Sequence, residues 1–192
     1  MNKGYLSFVL HAHLPYVRHP EYEEFLEEDW LYEAITETYI PLLEMFENLT
    51  RDNIPWNLTL TMSGTLVNML NDDLLRNRYV KHITKLVEFC EKEVERLKPY
   101  PDMIKVANHN LHVHKTAKDI FVNKYHKDLV GAFRGFQDQG NLEIIPVTAT
   151  HGFLPVMKDY PEAVNAQVYM AKKDYIKNFG RDPKGIWLAE CA

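Results

Sequence analysis

Two periods alternate along this chain. Apolar runs without helical spacing lie at 4–10, 56–62, 142–150 and 185–188. Short runs of this kind suit strands buried on both faces of a parallel sheet. The second run alternates only in part, and Pro146 counts against a regular central strand in the third. Helical spacing fills the intervals. Ile35, Thr38, Tyr39, Leu42, Phe46 and Leu49 share one face, with Asp29 as the expected N-cap and Glu33 near the first turn. Pro41 must kink or restart that helix, because it removes a backbone donor. After Ser63-Gly64 a short helix is expected over 65–70, then a cap at Asn71-Asp72-Asp73. Val80, Ile83, Val87, Cys90, Val94 and Leu97 mark an amphipathic helix over 79–97, broken by Lys98-Pro99-Tyr100-Pro101. Most of 102–136 reads as helix, up to the stop at Gln139-Gly140-Asn141. Asp159 and Pro161 open a last helix, and Gly180 follows its end.

The order is strand, helix, strand, several helices, strand, helix, strand. It predicts an α/β fold, parallel strands with covering helices, either an open doubly wound sheet or part of a barrel. The 192 residues suffice for one domain with a sizeable core. Net charge is −5, without a long basic run, which gives no reason to expect a nucleic-acid partner. The apolar run from Tyr5 to Leu10 is too short to span a membrane or direct secretion. Cys90 and Cys191 do not make a disulfide framework, and with no signal peptide the expected compartment is the reducing cytoplasm.

The chemistry gathers where the runs end. In parallel α/β folds, sites form at the carboxyl ends of strands. The first run ends in His11-Ala12-His13, whose histidines, two apart on an extended backbone, share a face. Such a pair can bind metal or donate hydrogen bonds to a ligand; otherwise one is buried and hydrogen-bonded and the other solvated. The third run ends in Thr150-His151-Gly152, where the glycine permits a backbone conformation or a close approach that other residues resist. The last run, Gly185-Ile186-Trp187-Leu188-Ala189, delivers Glu190, which can serve as nucleophile, base or metal ligand, or be a solvated strand-end acid. Parallel strands would carry His11, His13, His151 and Glu190 to one rim. His109, His112 and His114 read as a solvated helix face. The tryptophans read as core more than as binding platforms, with Trp30, set among acidic residues after the loop that begins at His11 and His13, kept as the exception.

Four stretches together resemble the N-terminal part of glycoside hydrolase family 57, in its 1,4-α-glucan branching group. They are residues 4–18, beginning Gly-Tyr-Leu-Ser-Phe-Val-Leu-His-Ala-His, then Glu28-Asp29-Trp30-Leu31-Tyr32-Glu33-Ala34, Ala149-Thr150-His151-Gly152-Phe153-Leu154-Pro155, and Trp187-Leu188-Ala189-Glu190-Cys191-Ala192. The resemblance implies the N-terminal part of a (β/α)7 barrel and a retaining mechanism on α-glucans with no metal or other cofactor. It implies that Glu190 is the nucleophile, that His11 lines the adjoining subsite, and that His13, Trp30 and His151 shape the sugar cleft. The family's acid/base is an aspartate from a later strand, which nothing here matches. Residues 1–192 are therefore expected to form an incomplete catalytic barrel domain, inactive in branching by itself, prone to self-association or completed by a C-terminal segment. Alternatives are an amylase or 4-α-glucanotransferase of the same family, a metal-dependent carbohydrate deacetylase with zinc on His11 and His13, and a non-catalytic glucan-binding fragment.

Overall fold

The computed structural model describes residues 4–191. Three strands and seven α-helices follow in chain order: β1 (Val9–Ala12), α1 (Glu28–Ala34), α2 (Ile40–Arg51), β2 (Leu58–Met62), α3 (Gly64–Leu70), α4 (Asp73–Leu97), α5 (Pro101–Asp119), α6 (Leu129–Gln139), β3 (Leu142–Pro146) and α7 (Pro161–Phe179). They fall into two compact units. One comprises residues 4–17, 46–71 and 130–191, the other residues 18–45 and 72–129.

The first unit holds the sheet. Its order is β1-β2-β3, all parallel, with His11 opposite Thr61 and Thr61 opposite Ile145. Leu60, Ile144, Leu142 and Phe133 are buried around it. Phe46 stacks on Trp56 at 4.5 Å between ring centroids, and Phe136 meets Phe46 edge-on at 5.5 Å. Ser63 caps α3 by accepting from the Leu66 N–H at 3.3 Å. Gly64 is small of necessity: a Cβ there would come within 3.1 Å of the Ala149 carbonyl oxygen and 3.2 Å of the Asp174 carboxylate on α7. The left-handed Gly180, at φ +73, terminates α7.

The second unit is helical. The long α4 is capped by Asp72, which accepts from Leu75 N–H at 3.0 Å and pairs with Arg18. Tyr79 packs edge-on against Phe121 at 4.6 Å and shares a hydrogen bond with Thr36. Glu28 is buried, accepting from Tyr32 O–H and from Arg78.

Several expectations are corrected. The first strand is not buried. Tyr5, Leu6, Phe8 and Val9 are exposed, because β1 is a sheet edge and only one of its sides has a strand partner. Regular pairing there also starts at Val9 rather than Gly4. The third strand stops at Pro146, which lacks the N–H to continue a ladder. The fourth reduces to one parallel bridge, Val147 to Trp187, with Trp187 N–H donating to Pro146 O at 2.9 Å. The expectation that most of 102–136 is helical holds, as two helices, α5 and α6, joined through a π-helical stretch Ile120–Lys124 and left-handed His126 and Lys127. Pro41 is accommodated by a π-helical segment Ile35–Tyr39 before it, and the N-cap of α1 is Glu27, not Asp29.

Candidate functional site

The sheet register pairs imidazoles with hydroxyls. Residues opposite one another in a parallel ladder point to the same face, and so do residues two apart along each strand. His11 therefore meets Thr61, with Nδ1 and Oγ1 2.5 Å apart, and one repeat further His13 meets Ser63, with Nδ1 and Oγ 2.8 Å apart. Thr61 and Ser63 are fully buried. Thr65 O–H donates to the Leu14 carbonyl at 3.1 Å and lies 3.0 Å from Ser63 Oγ.

His151 arrives from the turn after β3. Its N–H donates to Thr148 O at 2.8 Å, and its φ is +56, a left-handed conformation uncommon for a residue with a Cβ. The turn is pinned from α7 by Gln167, whose amide accepts from Thr150 N–H and donates to Thr150 Oγ1. Gly152 is explained by close approach, since a Cβ there would fall 2.8 Å from Met157 Cε and 3.1 Å from Gln167 Cδ.

The three imidazoles come together. His13 stacks on His151 at 3.7 Å and 11° between planes, and His11 Nε2 lies 3.0 Å from His151 Nε2. Glu190 completes the group, with Oε1 3.8 Å from His151 Nδ1. It occupies a short 3-10 turn, Ala189–Cys191, just past the Trp187 bridge, and its φ is +57. Left-handed conformations at both His151 and Glu190 are the kind of backbone strain that concentrates at functional sites. The Glu190 carboxylate is largely open to solvent while the His151 ring is mostly covered.

The surroundings of His13 and His11 favour their neutral forms. Burial first, then His151 and His11, depress the His13 pKa to about 4. Burial and His151 likewise lower that of His11, with Glu190 opposing. Neutral imidazoles each present one donor and one acceptor, which suits sugar hydroxyls. Among the described residues, no cluster of three or more His, Cys, Asp or Glu side chains is placed to hold a metal ion.

The structure thus brings His11, His13, His151 and Glu190 together within the first unit. Trp30 stands in the second unit, on α1, and is half exposed. His109 and His112 are exposed on α5, while the neighbouring His114 bonds Asn110 O at 2.7 Å through Nδ1. Thr61, Ser63 and Gln167 were not singled out from the sequence. The signal for the first two was the polar repeat Thr59, Thr61, Ser63 within an otherwise apolar run. No described helix is long and apolar enough to cross a membrane.

Comparison with known proteins bears on what this cluster is. The sequence profile of Glycosyl hydrolase family 57 matches residues 7–192. The chain is 37% identical over 190 residues to a 1,4-alpha-glucan branching enzyme of Thermococcus kodakarensis, covering 99% of this chain and 27% of that protein. A probable 1,4-alpha-glucan branching enzyme of Mycobacterium tuberculosis is 25% identical over 202 residues, with 98% and 38% covered. Among solved structures, the α-amylase AmyC of Thermotoga maritima superposes with a TM-score of 0.92 at 45% identity, over 96% of this chain and 35% of that one. The branching enzyme of Pyrococcus horikoshii gives 0.92 at 37% identity, over 100% and 35%. The chain spans about a quarter to two fifths of the length of these relatives.

Proposed function

Since the chain belongs to glycosyl hydrolase family 57, we propose that its histidine cluster and Glu190 form the nucleophile half of a retaining α-glucan site in the N-terminal part of a (β/α)7 barrel. The observation that carries this reading is the Glu190 carboxylate, solvent-facing and 3.8 Å from His151 Nδ1 at the edge of three packed imidazoles. A carboxylate so placed is open to attack an anomeric carbon, while the histidines beside it offer hydrogen bonds to the sugar hydroxyls.

In a retaining transfer the glycosidic bond breaks as a covalent glucosyl ester forms on Glu190. A second carboxyl, about 5–5.5 Å from the nucleophile, protonates the leaving oxygen. It then deprotonates the acceptor, a glucan 6-hydroxyl in branching, which takes the glucosyl chain and frees Glu190. We assign none of residues 1–192 to this second role. The substrate is an α-glucan, and neither metal nor other cofactor enters the reaction.

A second reading within the family, hydrolysis as in an amylase, is favoured by the 45% identity to the Thermotoga enzyme. Product analysis separates the two. Incubated with amylose, the 192-residue chain should form no branches, and completing it with the C-terminal remainder of a family 57 branching enzyme, fused or as a second polypeptide, should produce α-1,6 linkages without a matching rise in reducing ends. Glu190→Gln should abolish that activity. Branching by the isolated chain, or full activity in Glu190→Gln, would refute the assignment. Reducing ends without branches would select the amylase reading.

A further inference from the structure

The buried hydroxyl of Thr61 settles where the protons of the histidine cluster sit. Its only hydrogen-bond partner among the described residues is His11 Nδ1, at 2.5 Å, and the residue is fully buried. A hydroxyl carries one proton. Given to His11 Nδ1, that proton is paired. Were Nδ1 itself protonated, the Thr61 proton would be buried without an acceptor, which disfavours that arrangement by roughly tenfold or more. His11 Nδ1 is therefore the acceptor, and a neutral ring then carries its proton on Nε2. That nitrogen lies 3.0 Å from His151 Nε2, and of two nitrogens at this distance one must donate to the other. His11 donates. His151 accepts on Nε2 and so keeps its own proton on Nδ1, the nitrogen that faces Glu190 Oε1 at 3.8 Å. Burial and His151 lower the His11 pKa, which keeps that ring in the neutral form the chain of bonds requires.

We propose that Thr61 is a positioning residue that orients a one-way hydrogen-bond relay, Thr61 O–H to His11 Nδ1, His11 Nε2–H to His151 Nε2, with His151 Nδ1–H aimed at the Glu190 carboxylate. The relay reaches the carboxylate as a donor. An N–H facing the acid can hydrogen-bond a carboxylate oxygen and fix its orientation for attack. At 3.8 Å the last link is an approach rather than a formed bond, and less than an ångström of closure would complete it. The consequence for catalysis rests on Glu190 being the nucleophile; the tautomers do not.

The test is nitrogen-15 NMR of the imidazole rings in the 192-residue chain at pH 7.5. The expected result is a protonated Nε2 and bare Nδ1 on His11, with the reverse on His151. Thr61→Val removes the hydroxyl and should lower the His11 tautomer preference by about tenfold or more, and Thr61→Ser should restore it, a rescue that mere packing would not give. A protonated Nδ1 on His11 in the wild-type chain overturns the proposal without recourse to any variant. Unchanged tautomers in Thr61→Val overturn it as well. Because no substrate is present, these outcomes are independent of glucan chemistry: predicted tautomers in a protein whose completed form leaves glucans untouched would refute the functional reading and leave the relay standing.

Discussion

Acid should weaken the first unit through its histidines, and His13 allows the effect to be sized. In the folded chain the pKa of His13 is depressed to about 4, against 6.5 for an unperturbed ring. Between those values the unfolded chain binds a proton that the folded chain refuses, so stability rises with pH across the window. The contribution is fully present above pH 6.5, is lost progressively as pH falls, and is gone below pH 4. The whole displacement corresponds to about 3.4 kcal/mol. The ring is only partly buried, and solvent screening leaves roughly half of that, about 1–2 kcal/mol. With a urea dependence of about 2 kcal/mol per molar, the denaturation midpoint should fall by roughly 0.5–1 M more in the wild-type chain than in His13→Gln between pH 7 and pH 4. The variant is the control, because carboxylates elsewhere also lose stability in acid and contribute equally to both proteins. Parallel pH curves for the two, or His13 titrating near 6.5 by NMR, would refute the reasoning.

Three further outcomes are expected. Arg78→Leu strips the buried Glu28 carboxylate of its cation, which should cost about 3–5 kcal/mol in urea unfolding, while Glu28→Leu combined with Arg78→Leu should recover most of it; additive losses would contradict the pairing. Gly152→Ala should force Gln167 away from Thr150 and destabilise the chain by about 1–3 kcal/mol, and an unchanged thermal midpoint would show that Met157 alone gives way. The exposed apolar residues beside the open edge of β1 should make the isolated chain self-associate; sedimentation velocity should show Leu6→Lys with Phe8→Lys shifted toward monomer, and a monomeric wild type at micromolar concentration would refute this.

Local chemistry wrote much of this fold into the chain. The cap at Asp72, the break at Lys98 to Pro101 and the stop at Gly180 were legible because each is decided by a few neighbouring residues. So were His11 and His13 as groups at the end of the first strand, since a run that turns from apolar to polar shows its end directly. What lay between elements was not legible. That Tyr5 to Val9 are exposed depends on which strand stands at the sheet edge, a fact of topology that periodicity does not contain. The last apolar run looked like a strand, yet it makes one bridge and turns into a left-handed Glu190. Thr61 and Ser63, fifty residues beyond the histidines they hold, acquire their roles only from the register of β1 on β2. Residue types and local spacing determined which groups this protein could use, and tertiary pairing alone decided which of them share protons, because hydrogen bonds between distant segments exist only once the strands are aligned.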